Sequence, residues 1–173
     1  MALITPRFRV SFLELSEKRT FQEGQCGRYS MTALFCPAEF AENDKLKWQA
    51  LLAACNRVAL EAWKIPYSEA KKRPDYTLPF HRGEEKSYAG YGPGVIFCTL
   101  SAYTRQPTIL ARDGVTIIGP DSEEEFYAGC YARASVNPFV PKKWKKTMAI
   151  GLNNVQKLGD GERLDSAEEA TRR

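Results

Sequence analysis

The sequence has very little histidine, and its cysteines form no recognisable metal motif. In 173 residues there is one histidine, His81, and none of the five cysteines belongs to a Cys-x-x-Cys pair. Zinc sites are built from clusters of these two residue types, so neither a metal nor another cofactor is predicted. The cysteines mostly fall at inward positions of predicted elements, where a small buried thiol is the expected role.

Recognisable catalytic patterns are missing as well. A serine or cysteine nucleophile paired with histidine would require His81, which has no identifiable partner. The acidic residues at 121–125 are contiguous, which is typical of a solvated turn rather than a two-metal site. The glycine-rich stretch at 88–94 lacks the lysine and the following helix of a phosphate-binding loop. The sequence therefore predicts a protein that is not an enzyme.

Long apolar runs are also absent. A membrane-spanning helix needs about 18 or more consecutive apolar residues, and the sequence has no such run. The N-terminus lacks the basic start and apolar core of a signal peptide. We therefore expect an intracellular protein without a membrane partner. The net charge of +4 is mildly basic and is compatible with an anionic partner.

Residues 127–157 contain the most informative pattern, two strands joined by a basic turn. In the first strand the small apolar residues alternate with rings, a cation and hydrogen-bonding groups. The inward set is Ala128, Cys130, Ala132, Ala134 and Val136; the outward set is Tyr127, Gly129, Tyr131, Arg133, Ser135, Asn137 and Phe139. In the second strand Met148, Ile150 and Leu152 are predicted to point inward, and Thr147, Ala149, Gly151 and Asn153 outward.

The turn between these strands places four lysines around one tryptophan. Aromatic rings and cations on one sheet face are suited to a flexible polyanion with exposed bases, which is a single-stranded nucleic acid. We predict that Tyr131, Arg133 and Trp144 meet in one groove. The candidate binding residues here are Tyr131, Arg133, Phe139, Lys142, Lys143, Trp144, Lys145, Lys146 and Asn153. A merely solvated hairpin is equally compatible with this stretch by itself, since lysine keeps turns soluble.

Two further strands repeat the pattern. Residues 5–12 alternate strictly, with Phe8, Val10 and Phe12 predicted inward and Arg7, Arg9 and Ser11 outward. Residues 94–105 place Ile96, Cys98, Leu100 and Ala102 on one face, and Phe97, Thr99, Ser101, Tyr103 and Arg105 on the other. Arg7, Arg9, Tyr103 and Arg105 therefore join the candidate binding residues. Because independent strands agree, the binding interpretation is favoured over the solvated one.

A helix is predicted over residues 43–63, capped by Asn43 or Asp44. Its apolar residues recur at three- and four-residue spacing; they are Leu46, Ala50, Leu51, Ala53, Ala54, Val58 and Trp63. Trp48 and Trp63 are assigned to the core or its rim. The irregular stretch at 64–93 is predicted to be an arm beside the groove. Its candidate binding residues are Lys71, Lys72, Arg73, Phe80 and Arg82, although a solvated basic loop remains an alternative.

These elements predict a mainly β protein with the oligonucleotide-binding (OB) architecture, a five-stranded barrel with one principal helix and a long irregular loop. The binding domain is predicted to span residues 1–157. Residues 158–173 are polar and are predicted to form a flexible tail outside the core.

Four strings of the sequence also resemble a known family. They are Thr-Pro-Arg-Phe-Arg-Val-Ser-Phe at 5–12, Pro-Phe-His-Arg-Gly at 79–83, Glu-Phe-Tyr-Ala-Gly-Cys-Tyr-Ala-Arg-Ala-Ser-Val-Asn at 125–137 and Gly-Leu-Asn-Asn-Val-Gln-Lys at 151–157. The family is that of tailed-phage single-stranded DNA-binding proteins with an OB fold, long catalogued as a domain of unknown function. The resemblance implies a protein that coats single-stranded DNA during replication or recombination in the cytoplasm of an infected bacterium.

The tail departs from the pattern of this functional class. Many such proteins end in acidic residues that recruit replication partners, whereas here Glu168 and Glu169 are followed by Arg172 and Arg173. Recruitment of phage or host replication proteins through the tail is therefore in question. An RNA-binding protein, a strand-annealing recombination mediator and a structural phage protein remain alternatives, and either a monomer or a homodimer is expected.

Overall fold

The computed structural model describes residues 2–20 and 27–164. Within these residues a single mixed sheet is accompanied by two helices. The strands are β1 (Leu3–Ile4), β2 (Phe8–Arg19), β3 (Arg28–Phe35), β4 (His81–Arg82), β5 (Ile96–Ala102), β6 (Thr108–Leu110), β7 (Ile117–Ile118), β8 (Tyr131–Phe139) and β9 (Ala149–Gly159). The helices are α1 (Glu42–Trp63) and α2 (Tyr67–Ala70), and short 3-10 turns occur at Pro37–Glu39 and Gly83–Glu85.

Five of the strands close into a barrel. Around the barrel, β2 pairs with β3, β3 with β5, β5 with β9, β9 with β8, and β8 again with β2. The β5–β9 pair is parallel and the other four pairs are antiparallel. The predicted five-stranded OB-like barrel is thereby confirmed. None of the helices in the described part of the chain is long and apolar enough to cross a membrane.

The barrel interior is filled by the residues that the alternating patterns placed inward. Ala132, Ala134 and Val136 of β8 lie beside Ile150 and Leu152 of the neighbouring strand β9, and all five are buried. Cys98 and Leu100 of β5 join the same core. The inward assignments of these seven residues are confirmed, because a narrow barrel leaves room only for small or branched side chains on its inner face.

The helix α1 covers one part of the barrel. Its predicted bounds are correct to one residue, and Leu51, Ala54, Cys55 and Ala59 are buried. The predicted cap is wrong, since the N-cap is Ala41 and no side chain caps the helix. The predicted apolar face is also partly wrong. Leu46, Ala50 and Ala53 lie on the solvent side of the helix, because the barrel contacts a neighbouring stripe of α1 instead.

The strand β2 departs from strict alternation at Phe12. Its φ is 44°, and the pairing with β3 shifts register between Ser11 and Glu14. Ser11 is consequently buried, with its hydroxyl 3.1 Å from the hydroxyl of Tyr91. The ring of Phe12 lies 5.0 Å from that of Tyr88. The predicted inward Phe12 and outward Ser11 are therefore wrong, because a bulge displaces the side chains from their regular faces.

The chain on either side of the β8–β9 hairpin also differs from prediction. The strand β8 begins at Tyr131 rather than at residue 127, and Tyr127 is buried instead of facing outward. The strand β9 continues to Gly159, past the predicted domain boundary at 157. Residues 160–164 then lie along the barrel, where Leu164 is buried against Leu34 and Ala128. The rest of the predicted tail, residues 165–173, lies outside the described residues.

Candidate nucleic-acid interface

An open groove lies on the outside of the barrel where β5 meets the β8–β9 hairpin. Ser101 of β5 lies beside Gly151 of β9 in the parallel pair, and this register brings the ends of the strands together. The groove has a volume of about 420 Å³. The residues that line it include Ser101, Tyr103, Thr104, Arg105, Phe139 and Asn153. We call this the Tyr103–Phe139 groove.

Two aromatic rings from different strands form one side of the groove. Tyr103 directly follows β5, and Phe139 is the last residue of β8. Their ring centroids are 6.5 Å apart and the ring planes are inclined at 88°. Tyr103 is 39% exposed. A flat base entering the groove can therefore stack on one ring and meet the edge of the other, which are the two favoured geometries for aromatic contacts.

The floor of the groove is formed by polar side chains and by a glycine. The Asn153 amide nitrogen donates to Ser135 Oγ at 3.4 Å and to Asn137 Oδ1 at 3.3 Å. Asn153 occupies the extra position of a bulge, since Leu152 pairs with Val136 and Asn154 with Ser135. Beside it, Gly151 has no side chain, and a Cβ there would lie 3.3 Å from Asn137, which fills that space. Asn153, Ser135 and Asn137 are therefore bonded to one another at the floor of the groove.

The basic turn lies immediately beyond Phe139, which confirms the predicted β8–β9 hairpin. We call residues 141–147 the lysine–tryptophan loop. The Trp63 indole donates to the carbonyl of Lys145 at 2.6 Å, and the Thr77 amide donates to the carbonyl of Lys146 at 2.8 Å. These bonds fasten the loop to the end of α1 and to the segment after α2. Trp144 remains 55% exposed at its tip.

Three lysines of the loop project into solvent without an ion-pair partner among the described residues: Lys142, Lys143 and Lys145. Lys146 instead pairs with Asp75 at 2.6 Å. The hydrogen bond to Asp75 raises the pKa of Lys146, and the same bond lowers the pKa of Asp75. Both groups stay charged near neutral pH, so the Asp75 carboxylate neutralises one of the four loop cations.

The basic cluster of the irregular segment lies close in sequence to Asp75, the residue that pairs with Lys146 of the loop. Lys71, Lys72 and Arg73 are exposed just after α2, and Arg73 lies 3.5 Å from Glu69. Asp75 follows two residues later and holds Lys146. The chain thus brings this basic cluster next to the foot of the lysine–tryptophan loop.

The other end of β8 is partly covered by the protein's own chain, beside a pocket of about 160 Å³ lined by Arg7, Arg9 and Tyr131. Arg7 lies over the Tyr131 ring at 4.7 Å, and Arg9 lies 6.0 Å from it. Arg9 also donates to the carbonyls of Gly129, at 3.2 Å, and Glu162, at 2.6 Å. A Cβ added to Gly161 would lie 2.9 Å from the Tyr131 ring. Two of the three predicted binding residues here, Arg9 and Tyr131, therefore contact residues 160–164, which we call the C-terminal segment. Arg7 contacts the Tyr131 ring and stays exposed.

Asp160 fixes the beginning of that segment. The Tyr127 hydroxyl donates to the Asp160 carboxylate at 2.9 Å, and Lys157 Nζ lies 2.7 Å from it. The Lys157 and Tyr127 hydrogen bonds lower the pKa of Asp160. Arg163 lies over the Tyr127 ring, 4.4 Å from its centroid. The segment is thus held by charge and by ring contacts.

The structure does not bring Tyr131 and Trp144 into one groove. Tyr131 and Phe139 are the first and last of the nine residues of β8, so the two lie about 26 Å apart along the extended strand. Trp144 lies beyond Phe139. Arg133 occupies a third position, where its Nε donates to Gln156 Oε1 at 2.8 Å in a separate depression. The predicted residues of β8 are therefore distributed over three sites.

Two predicted residues of the irregular segment also lie apart from the groove. Phe80 packs under α1, with its ring 5.3 Å from Trp48 and 6.5 Å from Phe35. Arg82 is exposed on β4 and pairs with Glu84 at 3.4 Å. Trp48 and Trp63 contact the core as predicted.

A group of rings whose proximity the sequence patterns did not predict lies beside β2 and β5, and it includes Phe97, which was assigned to the outward face of its strand. Tyr91 lies 5.4 Å from Tyr88 and 5.3 Å from Phe97, and His81 lies 5.2 Å from Phe97. The bulge at Phe12 completes the group. The two tyrosines come from a segment punctuated by positive-φ glycines, Gly90, Gly92 and Gly94. That spacing of tyrosine and glycine was the one signal available in the sequence.

Metal and thiol chemistry have little support in the described residues. No group of three or more histidine, cysteine or acidic side chains there could hold a metal ion. Four cysteines are free, and burial raises the pKa of Cys55 to about 12 and also raises that of Cys130. Such thiols are protonated at neutral pH and hence unreactive. Cys26 lies outside the described residues.

The closed five-stranded barrel with one main helix places the chain in the class of OB-like folds. In OB folds, ligands bind across the second and third barrel strands and the loop between the fourth and fifth. Here those elements are β3, β5 and the lysine–tryptophan loop. A family model described as the single-stranded DNA-binding protein of Enterobacter phage Enc34 matches residues 1–173. The chain belongs to this family, which confirms the resemblance found in the sequence.

Solved structures agree in fold at low sequence identity. The single-stranded DNA-binding protein of bacteriophage Enc34 in complex with single-stranded DNA has a TM-score of 0.72 and 20% identity, over 94% of this chain and 88% of that one. Its C-terminal truncation gives 0.73 and 19%, over 94% and 87%. The single-stranded DNA-binding protein gp2.5 of bacteriophage T7 gives 0.62 and 9%, over 95% of both chains. No curated protein is significantly similar in sequence.

Proposed function

We propose that this protein binds single-stranded DNA with little sequence preference and coats it during phage replication or recombination, in the cytoplasm of the infected bacterium. The observation that carries the proposal is the continuity of the Tyr103–Phe139 groove with the lysine–tryptophan loop. Family membership and the similar fold of a phage protein bound to single-stranded DNA support it independently.

The groove supplies the contacts to bases. Stacking on Tyr103, Phe139 and Trp144 is available to any base, because every base has a π-face. Asn153 offers an amide whose donors are already engaged with Ser135 and Asn137. The base contacts are therefore dominated by rings, and this accounts for tolerance of sequence.

The lysines supply the contacts to phosphate. Lys142, Lys143 and Lys145 project around Trp144, and Arg105 lines the far part of the groove. Lys71 and Lys72 extend this positive surface beyond Asp75. The phosphates of duplex DNA could also contact these cations, but its bases are stacked inside the helix and cannot reach the rings. The surface therefore favours single strands. We assign no chemical step to it; binding is the proposed function.

Competition binding tests the proposal. A fluorescent oligo-dT would be displaced by unlabelled oligo-dT, by duplex DNA of the same length and by oligo-U. We expect oligo-dT to compete at least about tenfold better than duplex, which corresponds to one stacked base at about 1.4 kcal/mol. Equal competition by duplex would contradict the proposal. Stronger competition by oligo-U would favour an RNA-binding protein instead, because the groove itself does not exclude a 2′-hydroxyl.

A further inference from the structure

The outward side of α1 carries apolar residues that no other part of the described chain covers. Leu46 is 63% exposed and Leu60 is 45% exposed, and Ala50 and Ala53 between them are exposed as well. The helix contacts β1, β8 and α2 through its other side. Exposed apolar side chains that line up on one element are typical of an interaction surface rather than of scattered surface residues.

These residues are arranged symmetrically about Ala53. Leu46 precedes it by seven residues and Leu60 follows it by seven, so all three recur every two turns on one side of the helix. A two-fold axis at Ala53 would place Leu46 of one copy against Leu60 of another. At the crossing point the two copies of Ala53 would meet, and their small side chains permit an interaxial distance near 8 Å.

The charges at the two ends of the helix obey the same symmetry. Glu42 precedes Ala53 by eleven residues and Lys64 follows it by eleven, and both are exposed. In an antiparallel pair, Glu42 of each copy lies beside Lys64 of the other. The arrangement also brings each helix N-terminus next to the C-terminus of its neighbour, which is favourable for the helix dipoles.

We propose that α1 is a self-association surface, and that its partner is the α1 of a second copy of this chain in an antiparallel, two-fold arrangement. A surface is self-complementary in this way only when each residue and its symmetric counterpart attract, and here the leucines, the alanine and the opposite charges all satisfy that condition. A single helix provides less area than a permanent dimer uses, so the association is weak and reversible.

The position of α1 makes this association compatible with the proposed DNA surface. The C-terminal end of α1 holds the lysine–tryptophan loop through the bond from Trp63 to Lys145. In the antiparallel pair the two loops lie at opposite ends of the interface, about 33 Å apart for a 22-residue helix. Both grooves therefore stay open. Proteins held on the same strand have a high effective concentration, so even a weak contact would favour neighbouring occupancy.

Cysteine cross-linking tests the arrangement without requiring DNA. In Ala53→Cys the two new thiols would meet on the axis, and oxidation would give a covalent dimer. In the control Asn43→Cys the new thiol lies on the same helix, ten residues from the axis, and two such thiols would be about 30 Å apart. We expect rapid cross-linking of Ala53→Cys and no more than the wild-type background for Asn43→Cys. Equal rates for the two variants would overturn the proposal.

Charge reversal supplies a second measurement on the Ala53→Cys background. Glu42→Lys or Lys64→Glu should each slow cross-linking about fivefold, because both symmetric pairs become repulsive, and the double reversal should restore the rate. Leu46→Glu should slow it at least as much. If cross-linking persists unchanged in Leu46→Glu, or if the double reversal fails to restore it, the antiparallel register is wrong. Circular dichroism of each variant would confirm that α1 is intact.

Discussion

The two ends of β8 carry similar residues but differ in what covers them. At Tyr131 the ring lies beneath Arg7, and Arg9 is bonded to the carbonyls of Gly129 and Glu162. At Phe139 the ring lies 6.5 Å from that of Tyr103, beside an open groove of about 420 Å³. The C-terminal segment covers part of the Tyr131 end, where a smaller pocket of about 160 Å³ lined by Arg7, Arg9 and Tyr131 remains, whereas the Phe139 end borders the larger groove.

The difference teaches that a ring and a cation on an outer sheet face do not by themselves define a binding site. An arginine whose donors are taken by carbonyls has fewer left for a phosphate, and a ring covered by a backbone has lost one stacking face. The lysines beyond Phe139 are different, because three of them project from the loop unpaired in the described chain. The open end is therefore where we expect DNA to bind.

The largest effect should come from removing the rings of the open end. We expect Tyr103→Ala and Phe139→Ala each to weaken binding to oligo-dT about tenfold at fixed salt, since one stacked base contributes about 1–3 kcal/mol. Val115→Ser is the control, because Val115 is exposed on a different hairpin. Fluorescence anisotropy measures all three. Affinities within about twofold of wild type for both ring variants would place the DNA elsewhere.

The next effect concerns salt. Replacing Lys142, Lys143 and Lys145 together by alanine should lower the slope of log affinity against log salt by about 2, because each phosphate contact on a single strand contributes about 0.7. Lys146→Ala is the matched control, because the charge of Lys146 is already paired with Asp75. We expect Lys146→Ala to change the slope by less than any of the unpaired lysines. A triple variant with an unaltered slope would argue against phosphate contacts in the loop.

A smaller effect on binding, with a clear effect on stability, is expected at the Tyr131 end, which the C-terminal segment partly covers. Tyr131→Ala removes the ring between Arg7 and Gly161, and we expect a loss of about 1–3 kcal/mol in the free energy of unfolding. Affinity for oligo-dT should fall by less than about threefold. Urea denaturation and anisotropy on the same preparation separate the two quantities. The opposite result, normal stability with a tenfold loss of affinity, would reverse the assignment of the two ends.

The smallest effect involves pH. The folded-state pKa of Asp160 is lowered by its bonds to Lys157 and Tyr127. Its contribution to stability is therefore complete above the unfolded value of about 3.9 and is lost as the pH falls through the lower folded value. Asp160→Asn should lower the melting temperature slightly at pH 7, and its difference from wild type should shrink below about pH 4. A difference independent of pH would show that the carboxylate charge does not hold the segment.

Much of the barrel could be predicted because the alternation of apolar and polar residues within each strand shows which side chains are buried. Val136, Ile150 and Leu100 are buried at the positions that period-two alternation assigns to them. Phe12 could not be predicted, since its inward position depended on a regular ladder and the bulge arises from pairing with β3. The same holds for α1, where the stripe in contact with the barrel depends on how the helix is docked.

The candidate site was predictable only in part, for a related reason. Local pattern identified Tyr103, Phe139 and the loop lysines as outward residues, and the structure brings them to one region. The local pattern could not reveal that Glu162 would bond to Arg9 or that Gly161 would lie against Tyr131, because these contacts join distant parts of the sequence. Phe80 likewise resembled an exposed loop ring until its contact with Trp48 was known.

The parallel pairing of β5 with β9 has a consequence for synthesis on the ribosome. Leu100 of β5 pairs with Ile150 of β9, so this seam of the barrel cannot form until β9 has left the exit tunnel. Until then β2, β3, β5 and β8 can form only an open sheet with unpaired edges, which is the form most exposed to aggregation. Barrel closure should therefore follow the emergence of β9 and be slow, as expected for contacts between distant parts of a sequence.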